Sequence, residues 1–220
     1  MQHLNPETLT ALTDLAAATN PLEVERRRRA IERRAGEMSS ELTKLVDAVA
    51  ERALRCCDLE RLATEDPLTG LANRRSFHIA LDRELARRSR GRGPSVILLD
   101  LDCLKEINDR FGHAAGDTAI RHAAKSCVNS VRGGDLVARL GGDEFAVLLP
   151  DTDFQGANVV ADRIRDAIEA CSVNGVPLKV SLGVAIAGPD GDDGAAILAE
   201  ADERMYADKT VRRGSLRVAA

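Results

Sequence analysis

The sequence predicts an α/β or α+β fold, in which helices cover a β-sheet, preceded by an N-terminal helical segment. Three observations support this prediction. The first 65 residues contain neither a β-type apolar run nor a glycine-rich loop. From residue 66 onward, apolar runs typical of strands alternate with segments of helical periodicity. Within that part, two apolar runs flank the pair Gly141-Gly142, a pattern that predicts a β-hairpin with its tight turn at the glycines.

The N-terminal segment carries two helix-start signals and one heptad-like row. Pro6 and Pro21 each follow an asparagine, the pattern of an N-cap followed by proline at the first helical position. Apolar residues then recur at seven-residue spacing, which is typical of a short helix-pairing seam. This row consists of Ile31, Met38 and Leu45. The arginine-rich run at 25–34 is interpreted as a solvated helical face, and contact with nucleic acid or acidic lipid is the less favoured alternative.

The remaining elements follow in order along the chain. Proline and glycine at 66–70 predict a turn that ends the preceding helix. Apolar runs predict strands, and 3.6-residue periodicity predicts helices. The predicted strands are 95–100, the two arms of the hairpin and 178–186, and the predicted helices are about 73–90, 103–110, 117–131, 154–171 and 195–210.

Composition excludes several classes of protein. Apolar residues make up 44% of the 220, enough for one domain and an appendage, and the net charge of −4 does not predict nucleic-acid binding. The five cysteines are an odd number without a Cys-x-x-Cys pair, so free thiols are expected rather than disulfides or zinc. No membrane-spanning run or signal-peptide pattern is present, and a cytoplasmic location is expected.

Two acids associated with predicted strand ends suggest a metal site. Asp100 ends a buried apolar strand, and Asp143 follows the glycine pair, with Glu144 next to it on the opposite face of its strand. Acids at the tips of neighbouring strands can converge on Mg²⁺, which prefers a few carboxylates, waters and phosphate oxygens. Taken singly, each acid is more often only a polar strand end.

Four sequence blocks resemble those of GGDEF-domain diguanylate cyclases. They are Asp-Pro-Leu-Thr-Gly-Leu-Ala-Asn-Arg-Arg at 66–75, the segment at 98–117, Arg-Leu-Gly-Gly-Asp-Glu-Phe at 139–145, and a final helix at 201–209. They occur in order and at family spacing over about residues 62–216. The resemblance implies a mostly antiparallel five-stranded sheet flanked by helices, similar to nucleotidyl cyclase and polymerase palm domains. It also implies condensation of two GTP into cyclic di-GMP and pyrophosphate, with Mg²⁺ or Mn²⁺ as cofactor.

The resemblance also implies the residues of the reacting centre. The metal would be held by the Asp100 carboxylate, the Leu101 carbonyl and the Asp143 carboxylate. Asp143 is also the family's proposed proton acceptor, although a metal-bound carboxylate is a poor base and ligation is favoured. Glu144 would assist the metal site. Lys105 would stabilise charge on the phosphates, whereas a lysine in this setting would otherwise be a surface ion pair worth little.

The substrate-binding residues implied by the family lie on both sides of the hairpin. Asn108 and Asp117 would recognise guanine, because a carboxylate can accept from its N1–H and exocyclic amine together. The alternative for Asp117 is a helix cap. Gly142 would leave clearance for the nucleotide, and Lys209 and Arg213 would hold the terminal phosphates.

Three positions depart from the usual family pattern. Arg212 stands where a glycine usually precedes the phosphate-binding arginine, which leaves open which arginine reaches the phosphate. Leu104 replaces a phenylalanine and keeps an apolar side chain there. The third motif position is Asp143 rather than glutamate, and active members of the family have either residue.

A second site is implied upstream of the hairpin. Arg132 and Asp135 match the family's Arg-x-x-Asp inhibitory site for cyclic di-GMP, with Arg163 as a weaker candidate for a partner arginine. A guanidinium can fork to phosphate or stack on guanine, and a carboxylate can accept from guanine. The alternative is a glycine turn closed by a local ion pair.

The overall prediction is a homodimeric, product-inhibited diguanylate cyclase. Residues 1–62 would form a regulatory and dimerising helical segment, and residues 63–220 the GGDEF domain. The main alternative is a catalytically weak receptor or scaffold that binds GTP or cyclic di-GMP. A third hypothesis, a helical adaptor recruited to nucleic acid, depends on the arginine run alone.

Overall fold

The computed structural model describes residues 6–35, 40–88 and 93–218, without the side chains of 34, 35, 41 and 213–218. The chain divides into two compact units, Met1–Ala63 and Thr64–Ala220, and each is described by itself. Within the described residues, no helix is long and apolar enough to cross a membrane.

The first unit is helical, as predicted. It contains α1 (Pro6–Ala16), α2 (Pro21–Ala35) and α3 (Ser40–Thr64), whose last residue belongs to the second unit. Ile31 of the predicted row is buried in the unit's core, whereas Leu45 is exposed and Met38 lies outside the described residues. The buried row of α3 instead has spacing 4-3-4, which keeps one helical face inward. It comprises Val46, Ala50, Ala53 and Cys57.

Three arginines of the arginine-rich run form ion pairs within this unit. Arg27 pairs with Glu23 and Arg29 with Glu25, each one helical turn apart on α2. Arg28 pairs with Asp47 of α3 at 2.8 Å. These contacts are those of a solvated, ion-paired helical face, so the structure gives no support to the nucleic-acid adaptor hypothesis.

The second unit contains the predicted five-stranded sheet. Its strands are β1 (Ala72–Asn73), β2 (Ser95–Leu101), β3 (Leu136–Gly141), β4 (Glu144–Leu149) and β7 (Val180–Ile186), in the order β1-β3-β4-β2-β7. Only β1 and β3 run parallel, so the predicted mostly antiparallel sheet is confirmed. The short hairpin of β5 (Ser172–Val173) and β6 (Val176–Pro177) is separate from it.

Helices cover both faces of the sheet. The first face packs against α5 (Leu104–Phe111), α6 (His113–Asn129) and α7 (Phe154–Glu169), and the second against α4 (Arg74–Arg87) and α8 (Gly194–Val218). Alternation along β2 sends Ile97 and Leu99 to the first face and Val96 and Leu98 to the second. The strand is therefore buried on both sides, which explains its continuous apolar run.

The close contact of β7 with α8 depends on one glycine. A Cβ added at Gly183 would lie 1.9 Å from the Ala201 carbonyl oxygen and 2.4 Å from the Met205 nitrogen. Both are backbone atoms of α8, which cannot rotate away as a side chain can. Gly183 therefore fixes the distance between this helix and the sheet, and with it the position of Lys209 one turn further along α8.

We expect Gly183→Ala to destabilise the second unit by about 1–3 kcal/mol, because overpacking forces backbone shifts. Gly133→Ala is the matched control, since its added Cβ would meet nothing within 4 Å. Urea unfolding followed by circular dichroism measures both. Equal unfolding midpoints for the two variants would show that α8 is not held at this distance.

Candidate functional site

The turn of the β3–β4 hairpin lies one residue later than predicted. Gly141 pairs with Glu144, so Gly142 and Asp143 form the turn, and Asp143 is a turn residue rather than a strand residue. Gly142 has φ +51°, a left-handed conformation that favours glycine. Arg139 donates to the Gly142 carbonyl from Nε and Nη2 at 3.1 and 2.8 Å, which fixes the turn.

The same arginine ties the hairpin to the turn at 66–70. Arg139 Nη1 lies 3.1 and 3.2 Å from the two carboxylate oxygens of Asp66. Burial alone would raise the pKa of Asp66, but the hydrogen bonds from Thr69 and Arg139, with the charge of Arg139, lower the pKa below its ordinary value. At pH values above the pKa of this carboxyl group in the unfolded chain, the pair therefore stabilises the folded state. This stabilisation is lost as the pH falls through the lowered pKa of the folded state.

The strand register brings the predicted metal-binding segments together. Asp100 of β2 stands directly opposite Glu144 of β4, which places both side chains on the face covered by α4 and α8. One residue along, the Leu101 N–H donates to the Asp143 carbonyl oxygen at 3.2 Å. Glu144 also pairs with Arg74 of α4, Nη2 to Oε2, at 3.2 Å.

The ammonium group of Lys209 contacts Asp100, one of the predicted metal ligands. Lys209 Nζ is 2.5 Å from Asp100 Oδ1 and 3.9 Å from Asp102 Oδ1. The side chains of Lys209, Asp100 and Asp102 are only 19%, 13% and 13% exposed. Asp102 was not among the predicted site residues. Asp102 lies in the turn that follows β2, so strand alternation does not predict its position beside Asp100.

The residues at this position fit a hard divalent cation. Among the described residues there is no cluster of three His, Cys, Asp or Glu side chains placed to hold a metal. Mg²⁺ does not require such a cage, since it takes one or two carboxylates and fills its other positions with waters and phosphate oxygens. Asp100 supplies a nearly buried carboxylate that already holds a cation, and the Asp143 segment and Leu101 lie beside it.

The predicted guanine-binding residues occupy the two helices of the first face. Asn108 is in α5, and its Oδ1 is buried without a hydrogen-bond partner in the described part of the chain. Gly116 of α6 makes room for it, since a Cβ at 116 would lie 2.0 Å from that oxygen. Asp117 follows directly and lies inside α6, which begins at His113, so the helix-cap alternative for Asp117 is wrong. Sequence reasoning missed Gly116.

The other predicted phosphate-binding residues are placed less closely. Lys105 is exposed in the first turn of α5. Arg213 belongs to α8, but its side chain lies outside the described part of the structure. Arg212, at the position of the usual glycine, forms an ion pair with Glu169 of α7. Leu104 is buried, as its apolar character predicts.

The Arg132–Asp135 segment forms the local ion pair named as the alternative. Arg132 Nε lies 3.0 Å from Asp135 Oδ1, and the Arg132 N–H donates to Oδ2 at 3.0 Å. Asp135 is only 3% exposed, whereas the Arg132 side chain is 64% exposed. Arg163 donates to the carbonyl of Ser130, which lies two residues before Arg132. The buried Asp135 therefore orients an accessible Arg132, with Arg163 bonded to the same segment.

Comparison with known proteins identifies the family to which this five-stranded, helix-covered domain belongs. The family model described as "Diguanylate cyclase, GGDEF domain" matches residues 63–215, and the chain belongs to this family. Diguanylate cyclase DgcP of Pseudomonas aeruginosa is 39% identical over 166 residues, covering 74% of this chain and 25% of that protein. Response regulator PleD of Caulobacter vibrioides is 39% identical over 167 residues, covering 70% and 36%.

A solved structure extends the likeness to the fold. The coiled coil and GGDEF domain of DgcB from Caulobacter crescentus, crystallised with c-di-GMP, is 31% identical with a TM-score of 0.68. The match covers 78% of this chain and 95% of that one. The chain thus spans only 25% and 36% of the length of DgcP and PleD.

Gly116→Ala tests the predicted base pocket. The added methyl would displace the Asn108 amide, so we expect affinity for a non-reacting GTP analogue to fall roughly tenfold, the effect of losing one or two hydrogen bonds. Isothermal titration calorimetry measures it. Gly134→Ala is the control, because its added Cβ would meet no described atom within 4 Å. Equal affinities in the two variants would remove Asn108 from the base pocket.

Proposed function

We propose that this chain is a diguanylate cyclase that condenses two GTP into cyclic di-GMP and pyrophosphate in a Mg²⁺-dependent reaction. The observation that carries the proposal is the pairing of β2 with β4, which sets Asp100 opposite Glu144 and the Asp143 carbonyl against the Leu101 N–H. Membership of the GGDEF family and the c-di-GMP complex of its structural relative support it.

The reaction is attack of a ribose 3′-hydroxyl on an α-phosphate, with pyrophosphate as leaving group. Such transfers are accelerated mainly by positioning and by neutralising phosphate charge. Asp100, the Leu101 carbonyl and Asp143 would hold Mg²⁺, which supplies charge neutralisation at the phosphates when bound. Lys209, which contacts Asp100, and the exposed Lys105 of α5 would add positive charge for the phosphates.

Recognition of GTP would depend on the α5–α6 pair. The unpartnered Asn108 Oδ1 is an acceptor whose burial is unfavourable until a donor reaches it. The Asp117 carboxylate can accept from the N1–H and the exocyclic amine of guanine, an arrangement that adenine does not offer. The two side chains would thus favour GTP over ATP.

Each chain presents one nucleotide, so two copies are required for each product molecule. We propose that the helices of the first unit bring the copies together. On α3, Leu59 and Leu62 are three residues apart on one side of the helix, and each is 65% exposed. Pairing this stripe with a second copy would bury apolar surface that a single first unit leaves in water.

We further propose that Arg132 binds cyclic di-GMP and restrains turnover. Its side chain is 64% exposed, so the face of the guanidinium can stack on a guanine. Its Nε and Nη2 already donate to Asp135, Pro150 and Thr152, and forking to a phosphate would exchange some of these bonds. Asp135 is already occupied by Arg132, so its role would be to orient the arginine. Arg163, joined to the Ser130 carbonyl, supplies a second cation near the same segment.

An assay of product formation tests the cyclase proposal. Purified chain, stripped of bound nucleotide, is incubated with GTP and Mg²⁺ and analysed for cyclic di-GMP by chromatography. We expect product whose rate per chain rises with chain concentration, and a loss of at least about hundredfold in Asp143→Asn, because charge stabilisation at the phosphates is lost.

Asp162→Asn, an exposed acid of α7, is the control and should keep full activity. Absence of cyclic di-GMP at high chain concentration would contradict the proposal. Binding of GTP without turnover would then favour the receptor or scaffold alternative.

Arg132→Ala tests the inhibitory surface. We expect turnover of GTP to persist and the inhibition constant for cyclic di-GMP to rise at least about tenfold, since a charged contact is removed. Arg132→Lys keeps a charge beside the Asp135 carboxylate but loses the planar guanidinium that can donate two parallel hydrogen bonds. This variant should give an intermediate inhibition constant. Arg121→Ala, an exposed arginine of α6, is the control. An unchanged inhibition constant in Arg132→Ala would show that Arg132 does not belong to an inhibitory site for cyclic di-GMP.

A further inference from the structure

The contact between Lys209 and Asp100 joins two residues to which the proposed function gives different partners. Asp100 is assigned to the metal and Lys209 to the phosphates, yet their side chains lie 2.5 Å apart. One carboxylate cannot give its full charge to an ammonium and to a metal ion at once. A metal ion that binds Asp100 therefore competes with Lys209 for the charge of this carboxylate.

The backbone that carries Lys209 is fixed, so only its side chain can move. The preceding residue, Asp208, accepts from the Leu182 N–H of β7 at 2.9 Å through Oδ2. The same oxygen pairs with both terminal nitrogens of Arg165 at 3.0 Å. Together with the Gly183 contact, these bonds hold α8 in register against the sheet. The flexible four-carbon stem of Lys209 lets the ammonium shift without moving the helix.

Asp102 offers the ammonium a second carboxylate. Its backbone N–H donates to the Lys179 carbonyl at 3.1 Å, and its Oδ2 accepts from the Ser181 hydroxyl at 2.8 Å. Its Oδ1 is buried, has no hydrogen-bond partner among the described residues and lies 3.9 Å from Lys209 Nζ. A buried carboxylate oxygen left without a partner is costly. Movement of Lys209 toward it would satisfy that oxygen.

We propose that Lys209 neutralises Asp100 in the nucleotide-free chain, and that Asp102 is the positioning residue that retains Lys209 when a divalent cation takes Asp100. The inference rests on the proposed function for the identity of the metal ligand. A metal ion alone must compete with the ammonium for Asp100 and binds weakly. A nucleotide removes that competition because its phosphates take up the ammonium, so metal and nucleotide bind cooperatively.

Binding of Mn²⁺ alone, followed by electron paramagnetic resonance without nucleotide, tests this exchange. Removing the competing charge in Lys209→Met should tighten Mn²⁺ binding roughly tenfold, because like charges on one carboxylate repel. If Lys209 only binds phosphates, the substitution would leave the Mn²⁺ affinity unchanged. If Lys209 is needed for local structure, the substitution would weaken Mn²⁺ binding. Lys209→Gln repeats the test with a polar side chain, and thermal melting confirms that each variant is folded.

Lys179→Met is the matched control, since it removes one positive charge from the residue whose carbonyl accepts from the Asp102 N–H. We expect its Mn²⁺ affinity to change less than about twofold, because an incompletely buried charge is screened. With a non-reacting GTP analogue present, Mn²⁺ binding should tighten more in the wild type than in Lys209→Met.

The role of Asp102 is tested by a double-mutant cycle. In Asp102→Asn, Lys209 has only Asp100 as a partner, so Mn²⁺ alone should bind several-fold more weakly than to the wild type. In the double variant Asp102→Asn/Lys209→Met this loss should disappear. A loss of equal size in both backgrounds would show that Asp102 acts on the metal directly and would overturn its positioning role.

Unchanged or weaker Mn²⁺ binding in both Lys209 variants would overturn the exchange itself. None of these titrations needs turnover. A chain that makes no cyclic di-GMP but binds Mn²⁺ more tightly as Lys209→Met would refute the proposed function alone, and an active chain without that tightening would refute this inference alone.

Discussion

In the antiparallel pair of β2 and β4, Asp100 stands opposite Glu144, and this register places both carboxylates on the face covered by α4 and α8. A slip of one residue would turn Asp100 to the other face of the sheet and move Leu99 and Ile97 out of their core. Burial of β2 on both faces makes that slip expensive, so packing of apolar side chains fixes the position of the acids. The fold thereby holds a carboxylate at the end of a buried strand, where it must have a cation.

That need for a cation connects the parts of the site. In the structure the cation is Lys209, and in the proposed reaction it is a divalent metal with the phosphates it neutralises. Two carboxylates with little exposure, Asp100 and Asp102, share one ammonium, so a second positive charge can be accommodated beside them. The close approach of α8 at Gly183 determines which groups the Lys209 ammonium can reach. A packing contact between α8 and β7 therefore helps to position a charged group at the sheet edge.

Local patterns predicted the parts of this fold that are long and periodic. The apolar run at 95–100, the hairpin and the final strand are found as β2, β3–β4 and β7. These strands are long enough for their buried positions to produce a recognisable pattern of apolar residues. Strands β1, β5 and β6 have two residues each and carry no period. The turn at Gly142–Asp143 was displaced by one residue because either glycine of the pair can adopt a turn conformation. The contact of Lys209 with Asp100, 109 residues apart, and the burial of Asp135 arise only from tertiary packing.

A crystal structure of the chain with Mg²⁺ and a non-reacting GTP analogue would show directly what Asp100 binds in the complex. We expect Mg²⁺ bound by Asp100, the Leu101 carbonyl and Asp143, with guanine on Asn108 and Asp117. We expect Lys209 Nζ to be withdrawn from Asp100 and to lie between Asp102 and the phosphates. A nucleotide bound elsewhere, or a metal held at this edge while Lys209 remains 2.5 Å from Asp100, would contradict this expectation.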